Sequence, residues 1–299
     1  MAAKYEWVET FISIEGEATH SGTPTAYVRF TKCNFECRGF HNPEMKKITN
    51  EVLGFDPANY IHVLELPPIQ IGCDSIYAWD DRFKHMWKSG DADALLDEIE
   101  ALLPHGKWIH PTTHQPVIFS LTGGEPTLRA KFLPELMNHP RMADCRHILT
   151  ETNCSVPLTD KFIDAIAAWL NDNPDRRWTW SNSPKLACSG EKASQAIRPD
   201  IAAKQFSLFS KVTNPWQVEQ YFKFVVDGSD ESFDEIEGVM AQYWEAGIPK
   251  QTQIHCMPMA CVEEQQQQIA QIVADKCIQR GMRYCHRVHN TVYENAIGK

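Results

Sequence analysis

No run in this chain approaches the ~18 consecutive apolar residues of a membrane-spanning helix, so no membrane partner is expected. The opening "MAAKYEWVET" also lacks the apolar core of a signal peptide, and the expected location is cytoplasmic. Positive charge is in deficit: 29 Lys and Arg stand against 39 Asp and Glu, a net charge of −10. Broad nucleic-acid binding rests on basic surface, so direct contact with nucleic acid is not expected either. No repeat of solenoid period is present, and the Gln run 265–268 sits inside a helical pattern. There are ten cysteines, but a reducing compartment argues against a disulfide framework. Cys145, Cys188, Cys261 and Cys277 occur singly and read as small buried apolar residues; Cys277 falls on the stripe Ile269, Ile272, Val273.

What remains is an ordinary globular composition, 43% hydrophobic and 23% charged, in a chain of 299 residues that can bury one sizeable core. Short β-branched and aromatic runs alternate with helical periodicity. Strands are expected at 25–31, 117–122, 147–152, 177–183, 221–227 and 252–258. Helices are expected near 91–103, 129–138, 159–171, 231–246 and 262–280. The pattern is that of β/α units around a parallel sheet. Stretch 38–72, with Pro43, Pro57, Pro67 and Pro68, breaks the alternation and reads as an inserted loop or small subdomain.

The strand ends carry the chemistry. "TKCNFECRGFHNP" (31–43) places Cys33 and Cys37 four apart in a polar turn, half of a metal site, with Phe40 where a third thiol would follow. The second strand leads into "GGEP" (123–126), the third ends in "ETN" (151–153), and the fourth leads into "SPK" (183–185). Parallel β/α barrels place ligand chemistry at that rim, so the four tips indicate one shared site. Paired glycines let backbone approach a ligand without interference from Cβ. Glu125 with free backbone carbonyls suits an ammonium group rather than a phosphate, which takes N–H donors. Taken alone, GGEP is equally a tight turn with a solvated glutamate.

CxxxC, GGEP and ETN in this order resemble the radical S-adenosylmethionine superfamily, in which three cysteines hold a 4Fe–4S cluster and the glycine motif receives the methionyl amine. The usual cysteine pattern is CxxxCxxC. Residues 72–80, "GCDSIYAWD", resemble the second half of that loop in one branch, the 7-carboxy-7-deazaguanine synthases. On this resemblance the loop is cut open by 38–72 and Cys73 becomes the third ligand. His41 as the ligand, or Cys33 and Cys37 as half of a zinc site, are the competing readings. "SIEGEATHSGTPTAYVRF" (13–30), "TWSNSPK", "YFKFVVD" and "GMRYCHRVHN" (281–290) also resemble segments of this branch.

The resemblance implies a partial (β/α) barrel forming one domain over 1–299, with 38–72 inserted and a C-terminal strand and tail at 284–299. It implies a lyase of 7-deazaguanine (queuosine-type) biosynthesis. Such enzymes contract the ring of 6-carboxy-5,6,7,8-tetrahydropterin and release ammonia, using a flavodoxin-like or ferredoxin-like electron donor, and form homodimers. It places Cys33, Cys37 and Cys73 on the cluster. Gly72, Cys73, Asp74, Gly124, Glu125, Ser183, Pro184 and Lys185 fall around S-adenosylmethionine. Ile14, Glu15, Gly16, Arg29, Thr122 and His289 fall around the substrate, and Ser75 on Mg2+ in place of the branch's threonine. An arginine at a strand end is a natural bidentate partner for a carboxylate. A charged Glu15 would offer two acceptors to the adjacent N–H and NH2 donors of a pterin. Arg29 as a surface residue and Ser75 as a helix N-cap are the ordinary alternatives.

The chain departs from the branch where Glu15 replaces glutamine, Ala18 replaces glycine, and Arg287-Val288-His289-Asn290 replaces Q-T-H-K. Two other classes share part of the pattern. An activase of a glycyl-radical enzyme, like that of anaerobic ribonucleotide reductase, need not keep SPK, CDS or Arg29. A non-enzymatic iron–sulfur or zinc module leaves GGEP and ETN unexplained.

Overall fold

The computed structural model describes residues 4–299. Its strands are β1 (Tyr5–Ile14), β2 (Pro24–Phe30), β3 (Lys88–Gly90), β4 (Ile118–Gly123), β5 (His147–Thr152), β6 (Arg177–Asn182), β7 (Val218–Val226), β8 (Ile254–Pro258) and β9 (Arg283–Tyr284). They form one sheet in the order β3-β1-β2-β4-β5-β6-β7-β8-β9. From β2 onward every pairing is parallel, while β1 lies antiparallel between β2 and β3. β3 and β9 do not pair, so the sheet is an open, partial barrel.

Each expected strand is present within a few residues of its limits. β1 is an addition. Its buried positions are the odd-numbered ones, broken only by buried Val8 at a register shift between Trp7 and Glu9, and buried Glu9 stands beside Arg29 of β2. An acidic residue in a core position hides the period of two. Helices Ala92–Leu102, Asp160–Asp172, Asp230–Glu245 and Glu263–Arg280 match the expected periodicity. The single helix expected at 129–138 is instead a 3-10 turn, Pro126–Arg129, followed by the short helix Leu133–Met137. Pro134 lacks an N–H and can sit only in a first turn, so the helix starts there and cannot run through it.

Insertion 38–72 folds as a small unit. A four-residue helix, Asn50–Leu53, and two 3-10 turns enclose Ile48, Val63, Leu66 and Ile69, which pack on Ile76, Phe83 and Val8 to form an apolar cluster beside the main core. The chain leaves and returns at one point, where Gly72 N–H donates to the Phe40 carbonyl at 2.7 Å. A loop that orders itself in this way separates Cys37 from Cys73 in sequence at little entropic cost. The segment expected as a C-terminal strand and tail from 284 is mostly not strand: after Arg283–Tyr284 it forms the short helix Val288–Val292, and residues 295–299 border the cavity described next. No helix among the described residues is long and apolar enough to cross a membrane.

Candidate active site

The C-terminal ends of β2, β4, β5, β6, β7 and β8 converge on one cavity. Fourteen of the seventeen residues singled out from sequence line it: Ile14, Glu15, Arg29, Cys33, Cys37, Gly72, Cys73, Asp74, Ser75, Thr122, Gly124, Ser183, Lys185 and His289. Gly16, Glu125 and Pro184 do not.

The cysteine loop is tied down from both sides. Cys37 N–H donates to Glu191 at 2.7 Å and Gly39 N–H to the Ser189 carbonyl at 2.9 Å. Cys33 Sγ accepts from Phe35 N–H at 3.4 Å and from the Asn153 side chain at 3.9 Å. Cys37 itself takes a left-handed backbone conformation (φ 47°), a strained geometry for a residue with a Cβ and common where a loop is shaped for a ligand. His41 points away: its ring lies 3.0 Å from the Met259 carbonyl and does not border the cavity. Of the competing third ligands, only Cys73 faces the space that Cys33 and Cys37 face.

Burial raises all three thiols, Cys33 to about 12, so without a bound cation they stay protonated. Ligation would have to displace those protons. Among the described residues no three His, Cys, Asp or Glu side chains are grouped so as to hold a single metal ion. Three thiols spread around one cavity, with N–H donors aimed at a sulfur, fit a polynuclear iron–sulfur cluster.

Gly124 supplies the nucleotide side of the fit. A Cβ there would lie 2.1 Å from the Lys32 carbonyl oxygen, so only glycine allows GGEP to run this close against the cysteine loop. Gly124 N–H donates to the Phe30 carbonyl at 3.1 Å and Glu125 N–H to the Lys32 carbonyl at 2.9 Å. Glu125 is not the solvated residue of a simple turn, nor does its carboxylate reach the cavity. It is fully buried and accepts from Thr127, Thr152 and Asn153, stitching GGEP to ETN. On the facing side Lys185 donates to Ser183 at 3.1 Å.

The substrate side is a ring of buried charge. Arg29 gives its Nε to Glu9 at 2.8 Å and lies over the rings of Phe11 and Tyr77, and its terminal nitrogens have no hydrogen-bond partner among the described residues. Lys223 of β7 pairs with Glu17, and Arg287 reaches Glu17, Asp74 and the Ala260 carbonyl. Gly16 acts behind the wall: a Cβ there would strike the His289 ring, at 1.7 Å from Nδ1. Burial and Arg287 lower His289 to about 4, so its ring is neutral near pH 7.

Glu15 lines the cavity and is itself buried. Its carboxyl meets the Tyr27 hydroxyl at 3.1 Å and the Glu17 N–H at 3.2 Å. Burial, reinforced by Glu151 and Glu17 and only partly offset by Lys223, raises it to about 8. Its two oxygens both accept from the protein, and the raised value favours the neutral acid near pH 7.

The environment of Ser75 does not fit Mg2+. The ion prefers carboxylate oxygens, and the neighbouring Asp74 is held by Arg287 at 2.6 Å. Ser75 Oγ lies 3.5 Å from Cys73 Sγ, and although Ser75 begins the turn Ile76–Ala78 its side chain does not cap it.

Sequence reasoning gave no role to Tyr27, Glu17, Glu151, Lys223 or Arg287, all of which line the cavity. Lys223 stood within the quoted "YFKFVVD", and a lysine in an otherwise apolar strand was the available signal.

No family model matches the chain. It is 25% identical over 98% of its length to the 7-carboxy-7-deazaguanine synthase of Pyrobaculum aerophilum, covering 96% of that protein. It is 30% identical over 56% of its length to that of Methanopyrus kandleri, covering 61% of it. The fold matches the crystal structure of QueE from Escherichia coli with a TM-score of 0.52 and 16% identity, over 96% of this chain and 95% of that one. The resemblance to this branch of the radical S-adenosylmethionine superfamily therefore spans nearly the whole chain.

Proposed function

We propose that the chain is a 7-carboxy-7-deazaguanine synthase, an enzyme of the radical S-adenosylmethionine type acting on 6-carboxy-5,6,7,8-tetrahydropterin. The observation that carries this reading is the convergence on one cavity of three thiols, the GGEP backbone and an arginine with an unfilled guanidinium fork. Cys33, Cys37 and Cys73 would hold the 4Fe–4S cluster. The Gly124 backbone, Ser183, Lys185 and the Gly72–Asp74 stretch hold the nucleotide. When bound, these cofactors would supply hydrogen-abstracting radical chemistry for the ring contraction of the substrate with loss of ammonia.

The protein's own work is binding, orientation and exclusion of water. The free terminal nitrogens of Arg29 receive the substrate carboxylate in a bidentate, charge-assisted pair. Its position is fixed by Glu9 and by the rings of Phe11 and Tyr77. Glu15, and Glu151 held by Thr122 at 2.9 Å, face the pterin edge. Neutral His289 adds a donor or acceptor without adding charge. A small ring with one carboxylate suits this buried ring of charge better than the protein segment an activase must admit. A separate electron donor and a homodimer belong to the same reading, as does a cytoplasmic place of work.

The test is an anaerobic assay of the reconstituted protein with the carboxytetrahydropterin, S-adenosylmethionine and a reductant. Formation of 7-carboxy-7-deazaguanine supports the reading. Reductive cleavage of the nucleotide without pterin turnover would overturn it.

Glu15 allows a stability test that needs no cofactor. The wild-type protein takes up a proton on folding wherever pH lies between the ordinary carboxyl value of 4.5 and about 8. Its stability therefore declines as pH rises through that window. Glu15→Gln removes the decline, so the variant's Tm should match wild type near pH 5 and exceed it increasingly toward pH 8. Parallel curves would show that Glu15 is ionised in the folded protein.

A further inference from the structure

We propose that Arg287 supplies, as a fixed side chain, the positive charge that a divalent metal ion would place between Asp74 and the substrate carboxylate, so that turnover by this protein does not depend on Mg2+. The inference rests on the synthase reading for the identity of the substrate. Its structural part stands on the wiring of one side chain.

Arg287 reaches the cavity from the segment just after β9 and is nearly buried. Its Nη2 donates to Asp74 Oδ2 at 2.6 Å, its Nε to Glu17 Oε1 at 3.1 Å and its Nη1 to the Ala260 carbonyl at 2.6 Å. A guanidinium has five N–H groups. These contacts use three, and one N–H remains on each terminal nitrogen. Arg287 and Arg29 line the same cavity, so two cationic side chains stand where a carboxylate would bind.

The same contacts disfavour a divalent ion. Asp74 is the carboxylate adjacent to Ser75, the hydroxyl that the resemblance assigns to the metal. A cation bound to its remaining oxygen would sit against a guanidinium that cannot shed its proton. Ser75 lies 3.5 Å from the Cys73 sulfur and is a neutral hydroxyl, so it does not offset the charge that a cation would meet at Arg287. Glu17 is likewise engaged, by Lys223 as well as by Arg287. Arg287 stands where the resembled branch has glutamine, a neutral residue that would leave Asp74 free for a metal. The departure in the terminal motif and the occupied aspartate are thus one change seen from two sides.

The experiment compares wild type, Arg287→Gln and Arg287→Gln with Asp74→Asn. Each is titrated with Mn2+ followed by electron paramagnetic resonance, with and without the pterin, and assayed with Mg2+ or with excess EDTA. Wild type should show no Mn2+ bound at the cavity and should turn over equally in both media. Arg287→Gln should gain one Mn2+ site, lost again in the double variant, and a stimulation by Mg2+ of about tenfold or more, the scale of one ion's charge in a partly buried site. One Mn2+ bound to wild type and lost in a wild-type background carrying Asp74→Asn or Ser75→Ala would overturn the proposal. So would Arg287→Gln that is folded, as judged by its melting curve and cluster content, yet gains no site. If no form of the protein turns over the pterin, the synthase reading fails, while the Mn2+ titrations without pterin still decide the role of Arg287.

Discussion

Reconstituted without oxygen, Cys73→Ala protein should hold markedly less iron than wild type and cleave no S-adenosylmethionine above background, whereas His41→Ala should keep both. The expectation follows from which side chain faces the cavity. Cys73 lines it with Cys33 and Cys37, while the His41 ring is engaged by the Met259 carbonyl outside it. The hydrogen bond from Gly72 to Phe40 returns the chain to the cysteine loop after 38–72, so Cys73 takes the place a third thiol would occupy in an unbroken motif. A 4Fe–4S cluster held by two thiolates has two irons with no protein ligand instead of one, and it is lost or degraded. Iron analysis, the visible absorption of the cluster and 5′-deoxyadenosine formation measure the effect. The reverse pattern, with His41→Ala losing iron and Cys73→Ala keeping it, would reject the split loop. Stoichiometric zinc that disappears in Cys33→Ala but not in Cys73→Ala would support the zinc half-site.

The parts of the site that were legible in sequence are those fixed by short-range chemistry. CxxxC after a strand, paired glycines before Glu125 and the SPK tip each need only local backbone geometry, and each borders the cavity or, like Glu125, supports it. The charge ring was not legible in this way. Glu17, Lys223 and Arg287 lie hundreds of positions apart in part, and no local period marks residues whose partners are that distant. β1 escaped for a related reason: Glu9 reads as a solvent-facing residue until Arg29 is placed opposite it. Glu15 shows a further limit. Burial, with Glu151 and Glu17 beside it, raises its pKa, and none of these is visible in its local sequence. The Arg287 departure was visible in the sequence, but without Asp74 beside it the change carried no meaning.

Glu125 should therefore matter more to the fold than a turn residue would. Its Oε1 accepts from Thr127 N–H at 3.0 Å, Thr127 Oγ1 at 2.6 Å and Thr152 Oγ1 at 2.7 Å, and its Oε2 from Asn153 N–H at 2.7 Å. All four groups donate, which an ionised carboxylate satisfies and an amide does not. Burial pushes the Glu125 pKa up, and the donors work against that rise. In Glu125→Gln the amide NH2 must face at least one N–H or O–H donor in a space closed to water, leaving buried groups unpaired. Such a loss costs about 2–3 kcal/mol, which lowers Tm by roughly 5 °C in a chain of this size. The GGEP backbone then loses its tie to ETN, and the KM for S-adenosylmethionine should rise because Gly124 is no longer held against Lys32. Thermal denaturation and nucleotide titration of the same sample separate two roles. A Tm drop together with weaker nucleotide binding marks a positioning residue. Weaker binding at an unchanged Tm would mean that the carboxylate contacts the nucleotide directly, against the geometry of a side chain whose four donors all come from the protein.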